Sequence, residues 1–132
     1  MIDGDSAGER GDGPVDPLPG AWRPVRVSGP SMSPTVRSGD LLLARRVRSG
    51  GRWSRGVRPG DVVLARFPSR PDLLVVKRVR RAVPGGHWVE GDNPFVTDDS
   101  RSFGVAVVVG RITARLWPRP GRLPGAPPSH LA

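Results

Sequence analysis

Leu73-Leu74-Val75-Val76-Lys77-Arg78-Val79-Arg80 is the stretch on which the fold reading turns. Read as a strand, it alternates its side chains, with Val75, Lys77 and Val79 on one face and Val76 and Arg78 on the other. Similar short runs rich in Val and Leu lie on either side, at residues 23–27, 41–46, 61–66, 87–90 and 105–117. Turn signals separate them: Ser38-Gly39-Asp40, Arg58-Pro59-Gly60-Asp61, Pro68-Ser69-Arg70-Pro71 and Pro84-Gly85-Gly86. No stretch has a helical period with caps, a short turn at residues 33–36 excepted. The last apolar run is long, so Gly110 marks a bulge or bend within it. The expected fold is mostly β, a compact, twisted antiparallel sheet or half-barrel partly closed on itself.

The ends differ from this middle. Gly and Pro total 34 of the 132 residues, with eight in residues 1–20 and seven in residues 118–132. Both ends read as flexible tails around one folded domain at 21–117. Residues 1–20 carry five acids and one Arg, whereas 21–117 carries 18 basic and 7 acidic residues. A basic body fits an acidic partner, and charge alone names none. Residues 45–58 pack six Arg with Trp53, either a solvated hairpin loop or an anionic contact surface with a stacking platform. There is no cysteine, so disulfides and thiolate sites are excluded. No apolar run approaches the roughly 20 residues of a membrane span, and the acidic start has no signal-peptide layout. The expected location is therefore cytoplasmic.

Among 21 basic residues, 20 are Arg and one, Lys77, is Lys. Guanidinium stays protonated, whereas a buried amine can be driven neutral and act as a base. Between Val75 and Val79 this amine loses hydration; the bland alternative is an edge-strand Lys that discourages aggregation. Two further segments complement it. Ser28-Gly29-Pro30-Ser31-Met32-Ser33-Pro34-Thr35 presents Ser31 where an extended segment meets a Pro-containing turn, although alone it is an ordinary Ser/Pro loop. Gly91-Asp92-Asn93-Pro94-Phe95-Val96-Thr97-Asp98-Asp99-Ser100-Arg101 is dense in polar groups. There Asp99 and Arg101 form a bracing ion pair, and a hydroxyl from Thr97 or Ser100 is available to hold the lysine amine.

These segments, in this order, resemble the signal peptidase I family of serine–lysine proteases. Ser31-Met32 followed by Pro34-Thr35 is similar to its nucleophile motif, Lys77-Arg78 to its base, and Gly91-Asp92-Asn93 through Asp99-Ser100-Arg101 to its terminal signature. Arg58-Pro59-Gly60-Asp61-Val62-Val63 is similar to the strand the family places between them. The resemblance spans residues 25–117 and implies the fold of that family's catalytic core. It further implies Ser31 as nucleophile and Lys77 as general base. Thr97 falls at a lysine-orienting hydroxyl, with Ser100 as a second candidate, and Asp92, Asn93, Asp99 and Arg101 fall in the structural network. The Ser31 N–H is one implied oxyanion donor. Gly29 stands where some members carry a second, hydroxyl donor.

Typical bacterial members have membrane anchors and an additional β domain after the lysine, whereas only 13 residues separate Lys77 from Gly91 here. The chain thus resembles an unanchored version, similar to the nickel-type superoxide dismutase maturation proteases. That resemblance implies removal of an N-terminal leader from a precursor bound as an extended peptide, namely the nickel superoxide dismutase precursor. It implies no metal, no cofactor and no nucleic-acid partner. The alternatives are a general signal peptidase I-like leader peptidase and a non-catalytic basic binding module. A Ser-His-Asp triad is the enzymatic rival, but only His87 and His130 exist, and no Gly-x-Ser-x-Gly elbow is present.

Overall fold

A computed structural model of the chain describes residues 2–3, 22–47 and 56–125. Most of the acidic N-terminal segment, Trp53 with much of its Arg-rich stretch, and His130 lie outside the described residues. The strands are β1 (Ile2–Asp3), β2 (Trp22–Val27), β3 (Leu41–Arg46), β4 (Val62–Phe67), β5 (Arg70–Val83), β6 (Gly86–Glu90) and β7 (Val107–Trp117), with one short helix, α1 (Ser100–Phe103), before β7. They form a single antiparallel sheet in the order β1-β2-β3-β7-β4-β5-β6. A mostly β, antiparallel fold is thus what the alternating runs specify.

Burial follows side-chain period. In β2, Val25 and Val27 face inward while Trp22, Pro24 and Arg26 face out. In β4 both faces are covered, which is why Val62-Val63-Leu64-Ala65 reads as a continuous apolar run. Val62 and Leu64 join Val25, Leu42, Val76 and Ile112 in one core. Val63, Ala65 and Phe67 join Val75, Val79 and Val89 in another, on the opposite face. Lys77 lies between Val75 and Val79 in β5 and is paired with Val63 of β4. The alternation puts it on the side of the second core.

Three details differ from the sequence reading. β5 begins at Arg70, because the chain turns within two residues and Phe67 already pairs with Arg70 across a register shift. Pro71 therefore sits in the second position of an exposed strand start rather than in a turn. The irregularity expected near Gly110 falls between the Leu64–Gly110 and Ala65–Val108 pairs, so Val109 is the extra residue. Finally, Ser100–Phe103 forms one helical turn that no period announced, capped by the Asp99 carboxylate accepting from the Arg101 N–H.

Residues 118–125 return against the sheet. Gly121 and Arg115 exchange backbone hydrogen bonds of 2.8 and 3.0 Å, and Leu123 packs on the first core. At the other edge, β6 is tied back to the residue before β7 by His87 N–H to Ala106 O at 3.0 Å and Ala106 N–H to His87 O at 2.9 Å. Gly86 makes that approach possible, since a Cβ there would collide with the Ala106 carbonyl. Gly86→Ala should lower stability by about 1–3 kcal/mol. Gly56→Ala, whose Cβ meets nothing, should stay within about 0.5 kcal/mol of the parent; urea unfolding of both variants checks the pair.

Candidate active site

The Ser31 turn follows β2 and is held from below by the first core. Gly29 takes a φ of 98°, a left-handed conformation that favours glycine, and reverses the chain out of the strand. The turn closes with Ser33 N–H to Pro30 O and Val36 N–H to Met32 O, both 3.0 Å. Met32 and Val36 are buried anchors, so the turn is nailed to the apolar interior while Ser31 lines a cleft above it. Arg115 of β7 braces the far side, donating to Thr35 O and to the Asp40 carboxylate, each at 3.2 Å.

A second clamp comes from residues 91–93. Asn93 donates from its backbone N–H to Ser31 O at 2.9 Å and from Nδ2 to Pro30 O at 3.0 Å. Gly91 packs so tightly on the Ser31 carbonyl that a Cβ would overlap it. The glycine of the Gly91-Asp92-Asn93 motif is therefore required by contact rather than by a special φ.

Lys77 approaches from β5 with only 2% of its surface exposed. Burial pushes its amine pKa below the ordinary value. The Asp99 and Asp98 carboxylates oppose that shift, and the Arg101 guanidinium adds to it. Asp99 is already committed elsewhere. Burial would raise its carboxyl, but hydrogen bonds from the Arg101 side chain and from the Gly91 and Arg101 N–H groups hold it below the usual range. The Asp99–Arg101 pair is bidentate, at 2.9 Å from Nε and 2.6 Å from Nη2.

Asp92 binds Arg78, the residue after the lysine. Arg78 is 1% exposed, donates to Asp92 from Nε at 3.0 Å and from Nη2 at 2.8 Å, and reaches Gly60 O at 2.7 Å. Thr35 Oγ1 also donates to Asp92, at 2.6 Å. Both Arg78 and Thr35 escaped the sequence reading as site residues. The available signal was an Arg on the apolar face opposite Lys77, because a buried guanidinium demands a carboxylate partner.

A cleft of about 220 Å³ brings Ser31 and Lys77 together with Gly29, Leu73, Val75 and Phe103; Arg70, Val96 and Asp98 also line it. Thr97 does not line it: its side chain is exposed, and its carbonyl accepts from Asp99 N–H and Ser102 Oγ. Ser100 is buried and its hydroxyl accepts from the Val89 N–H at 2.9 Å. The Gly29 N–H donates to Ser38 Oγ at 3.3 Å. No acceptor among the described residues takes the Ser31 N–H.

The chain is similar to known proteins over most of its length. The family model described as signal peptidase, peptidase S26, matches residues 20–87. Mitochondrial inner membrane protease subunit 1 of Xenopus tropicalis is 36% identical over 117 residues, spanning 71% of this chain and 68% of the relative. The Homo sapiens subunit 1 is 34% identical over 117 residues, spanning 71% and 69%. Subunit 2 of Schizosaccharomyces pombe is 32% identical over 120 residues, spanning 74% and 67%. No solved structure matches the chain. The chain belongs to the signal peptidase, peptidase S26, family of proteases.

One expectation is corrected by these relatives, and another is left without support. They are named as mitochondrial inner membrane protease subunits, and the cytoplasmic assignment does not stand. It rested on an acidic start and on the lack of an apolar run, neither of which specifies a compartment. Among the described residues no helix is long and apolar enough to cross a membrane. The nickel superoxide dismutase assignment has no support from these relatives, which are mitochondrial inner membrane protease subunits.

The network predicts its own fragility. Asp92→Ala leaves Arg78 charged and buried and should cost about 3–5 kcal/mol. Pairing it with Arg78→Met should recover part of that loss, because the double variant buries no orphan charge. Urea unfolding of the single and double variants checks this.

Proposed function

We propose that this chain is an endopeptidase that removes an N-terminal leader from a precursor protein, with Ser31 as nucleophile and Lys77 as general base. The observation that carries the reading is the shared cleft: one serine hydroxyl and the chain's one lysine amine line it, and burial disfavours the ammonium form. A serine hydroxyl becomes a competent nucleophile when a neighbouring base takes its proton. Neutral Lys77 does so as Ser31 attacks the scissile carbonyl. The Ser31 N–H donates to the developing oxyanion, a contribution worth about 3 kcal/mol in comparable sites. Lys77 then returns the proton to the leaving amine, and water releases the acyl group from Ser31.

The cleft wall is mostly apolar and one side of it is a strand, which fits a substrate lying extended. Val75 and Lys77 project to it from alternate positions of β5. Asp98 and Asp99 keep the amine from losing basicity altogether, whereas Thr97, turned to solvent, takes no part in this scheme. The motif likeness makes the nickel superoxide dismutase precursor one substrate to try, alongside leader peptides of the general signal peptidase type.

We place its action at a membrane surface. The relatives are named for a membrane, and β2 and β7 carry Trp22 and Trp117, 51% and 57% exposed. Each ring lies beneath a guanidinium, Arg45 at 5.4 Å and Arg26 at 5.9 Å. Indole beside Arg suits the headgroup layer of an anionic bilayer.

Purified protein should cut a precursor at one bond, read as a mass change at the substrate's N-terminus. Ser31→Ala and Lys77→Arg should each lower kcat/KM by at least about 1,000-fold. The base is the unprotonated amine, so kcat/KM should rise with pH through a pKa below the ordinary 10.5 of lysine. Cleavage surviving in Lys77→Arg, where guanidinium cannot act as base, would refute the mechanism. Separately, the protein should sediment with phosphatidylserine-containing vesicles, and the Trp22→Ser/Trp117→Ser double variant should lose that binding. Equal sedimentation of parent and variant would overturn the membrane assignment.

A further inference from the structure

We infer that Arg70 selects an acidic side chain of the substrate, about four to six residues from the bond that is cut, on the spacing of an extended strand. This rests on the reading of the Ser31–Lys77 cleft as a peptide-binding cleft.

Arg70, the first residue of β5, lines that cleft together with Lys77 from the middle of the same strand. Lys77 pairs with Val63 of β4 and Arg70 with Phe67, across the register shift that makes residues 71–73 an excursion. Val63 and Phe67 are four residues apart, so Arg70 stands about 13 Å along the strand from Lys77. An extended peptide lying along β5 covers that distance in about four residues, and in up to about six with the reach of the Arg70 side chain.

The guanidinium is held there by an aromatic shelf. It lies over the Phe103 ring, 5.5 Å from the centroid, and Phe103 in turn packs on buried Phe67 with the ring centroids 5.2 Å apart. Stacking fixes the plane and leaves the N–H edge unused. Among the described residues no carboxylate or carbonyl accepts from the Arg70 guanidinium. The neighbouring arginines differ. Arg78 is satisfied by Asp92 and Gly60, and Arg101 by Asp99 and Val96. Arg70 is thus a preorganised, exposed fork in a cleft wall otherwise built from Leu73, Val75, Val96 and Phe103. The group that matches such a fork is a carboxylate, which accepts two parallel hydrogen bonds.

The other charge on the wall sharpens the selection. Asp98 lies close enough to Lys77 to act on its amine, at the end where the bond is cut. An acid in the substrate is repelled there and attracted at Arg70. The cleft therefore sorts peptides by where their negative charge lies, as well as by apolar fit.

The test separates binding from cleavage. Ala/Ser/Val peptides of 16 residues, blocked at both ends and labelled with an uncharged boron-dipyrromethene dye, carry a single Asp or a single Asn at successive positions, so the side chain is the sole carboxylate. Fluorescence anisotropy with the Ser31→Ala full chain should show one Asp position binding at least tenfold tighter than its Asn counterpart. Added salt should weaken that preference. Arg70→Gln in the same background should abolish it, and Arg70→Glu should reverse it, with thermal melting confirming that both variants fold. Equal binding of Asp and Asn peptides at every position, absence of binding by the whole set, or an Asp preference that survives Arg70→Gln would overturn the proposal. Failure of the Ser31 protein to cut peptides that it binds through Arg70 would sink the protease chemistry and leave this selection standing.

Discussion

The buried ion pair between Arg78 and Asp92 is the constraint on which the rest of the site depends. Two charges taken out of water are tolerable only when their hydrogen-bonding capacity is met. Here Asp92 receives Nε and Nη2 of Arg78 as well as the Thr35 hydroxyl, while Gly60 takes Nη1. The pair thereby fastens three segments that are distant in sequence: β5, the loop at 91–93 and the turn that carries Ser31. Because successive strand residues point to opposite faces, pinning Arg78 on one side also sets the position of Lys77 on the other. Pro124 O, 3.4 Å from Nη2, adds a contact from the segment beyond β7.

The charges of the site divide into those that are neutralised and those left available. Arg78 and Asp92 neutralise each other, as do Arg101 and Asp99. Lys77 is buried without such a partner among the described residues, so desolvation governs its amine and the carboxylates of Asp99 and Asp98 only moderate the effect. Asp99 is itself committed to Arg101 and to the Gly91 N–H. Arg70 is supported by an aromatic ring rather than by an acid among the described residues.

Much of this was visible in residue order, and particular residues show why the remainder was not. The β-strands were legible because runs of Val and Leu end at Gly, Pro and Asp. α1 was not, since a single turn has no period and its cap, Asp99, also reads as a loop acid. Pro71 signalled a turn but sits in β5, because the hairpin preceding it is tighter than the Pro-Ser-Arg-Pro spelling indicates. The place of β7 between β3 and β4 was invisible, being set by pairings between residues far apart in the chain. The compartment was misread because an acidic start and a missing apolar run carry no address.

What the sequence determined by itself is the set of groups and their local directions. Alternation put Lys77 on one face and Arg78 on the other, and motif order put a Ser-bearing turn and a Gly-Asp-Asn loop in the same domain. Only the tertiary structure decided the partners. It gave Arg78 to Asp92, gave Ser100 to a strand N–H, turned Thr97 to solvent, and set Arg70 over Phe103 in the cleft. The physical reason is that side-chain direction is a property of the local backbone, whereas desolvation and hydrogen-bond pairing depend on what the folded chain brings alongside.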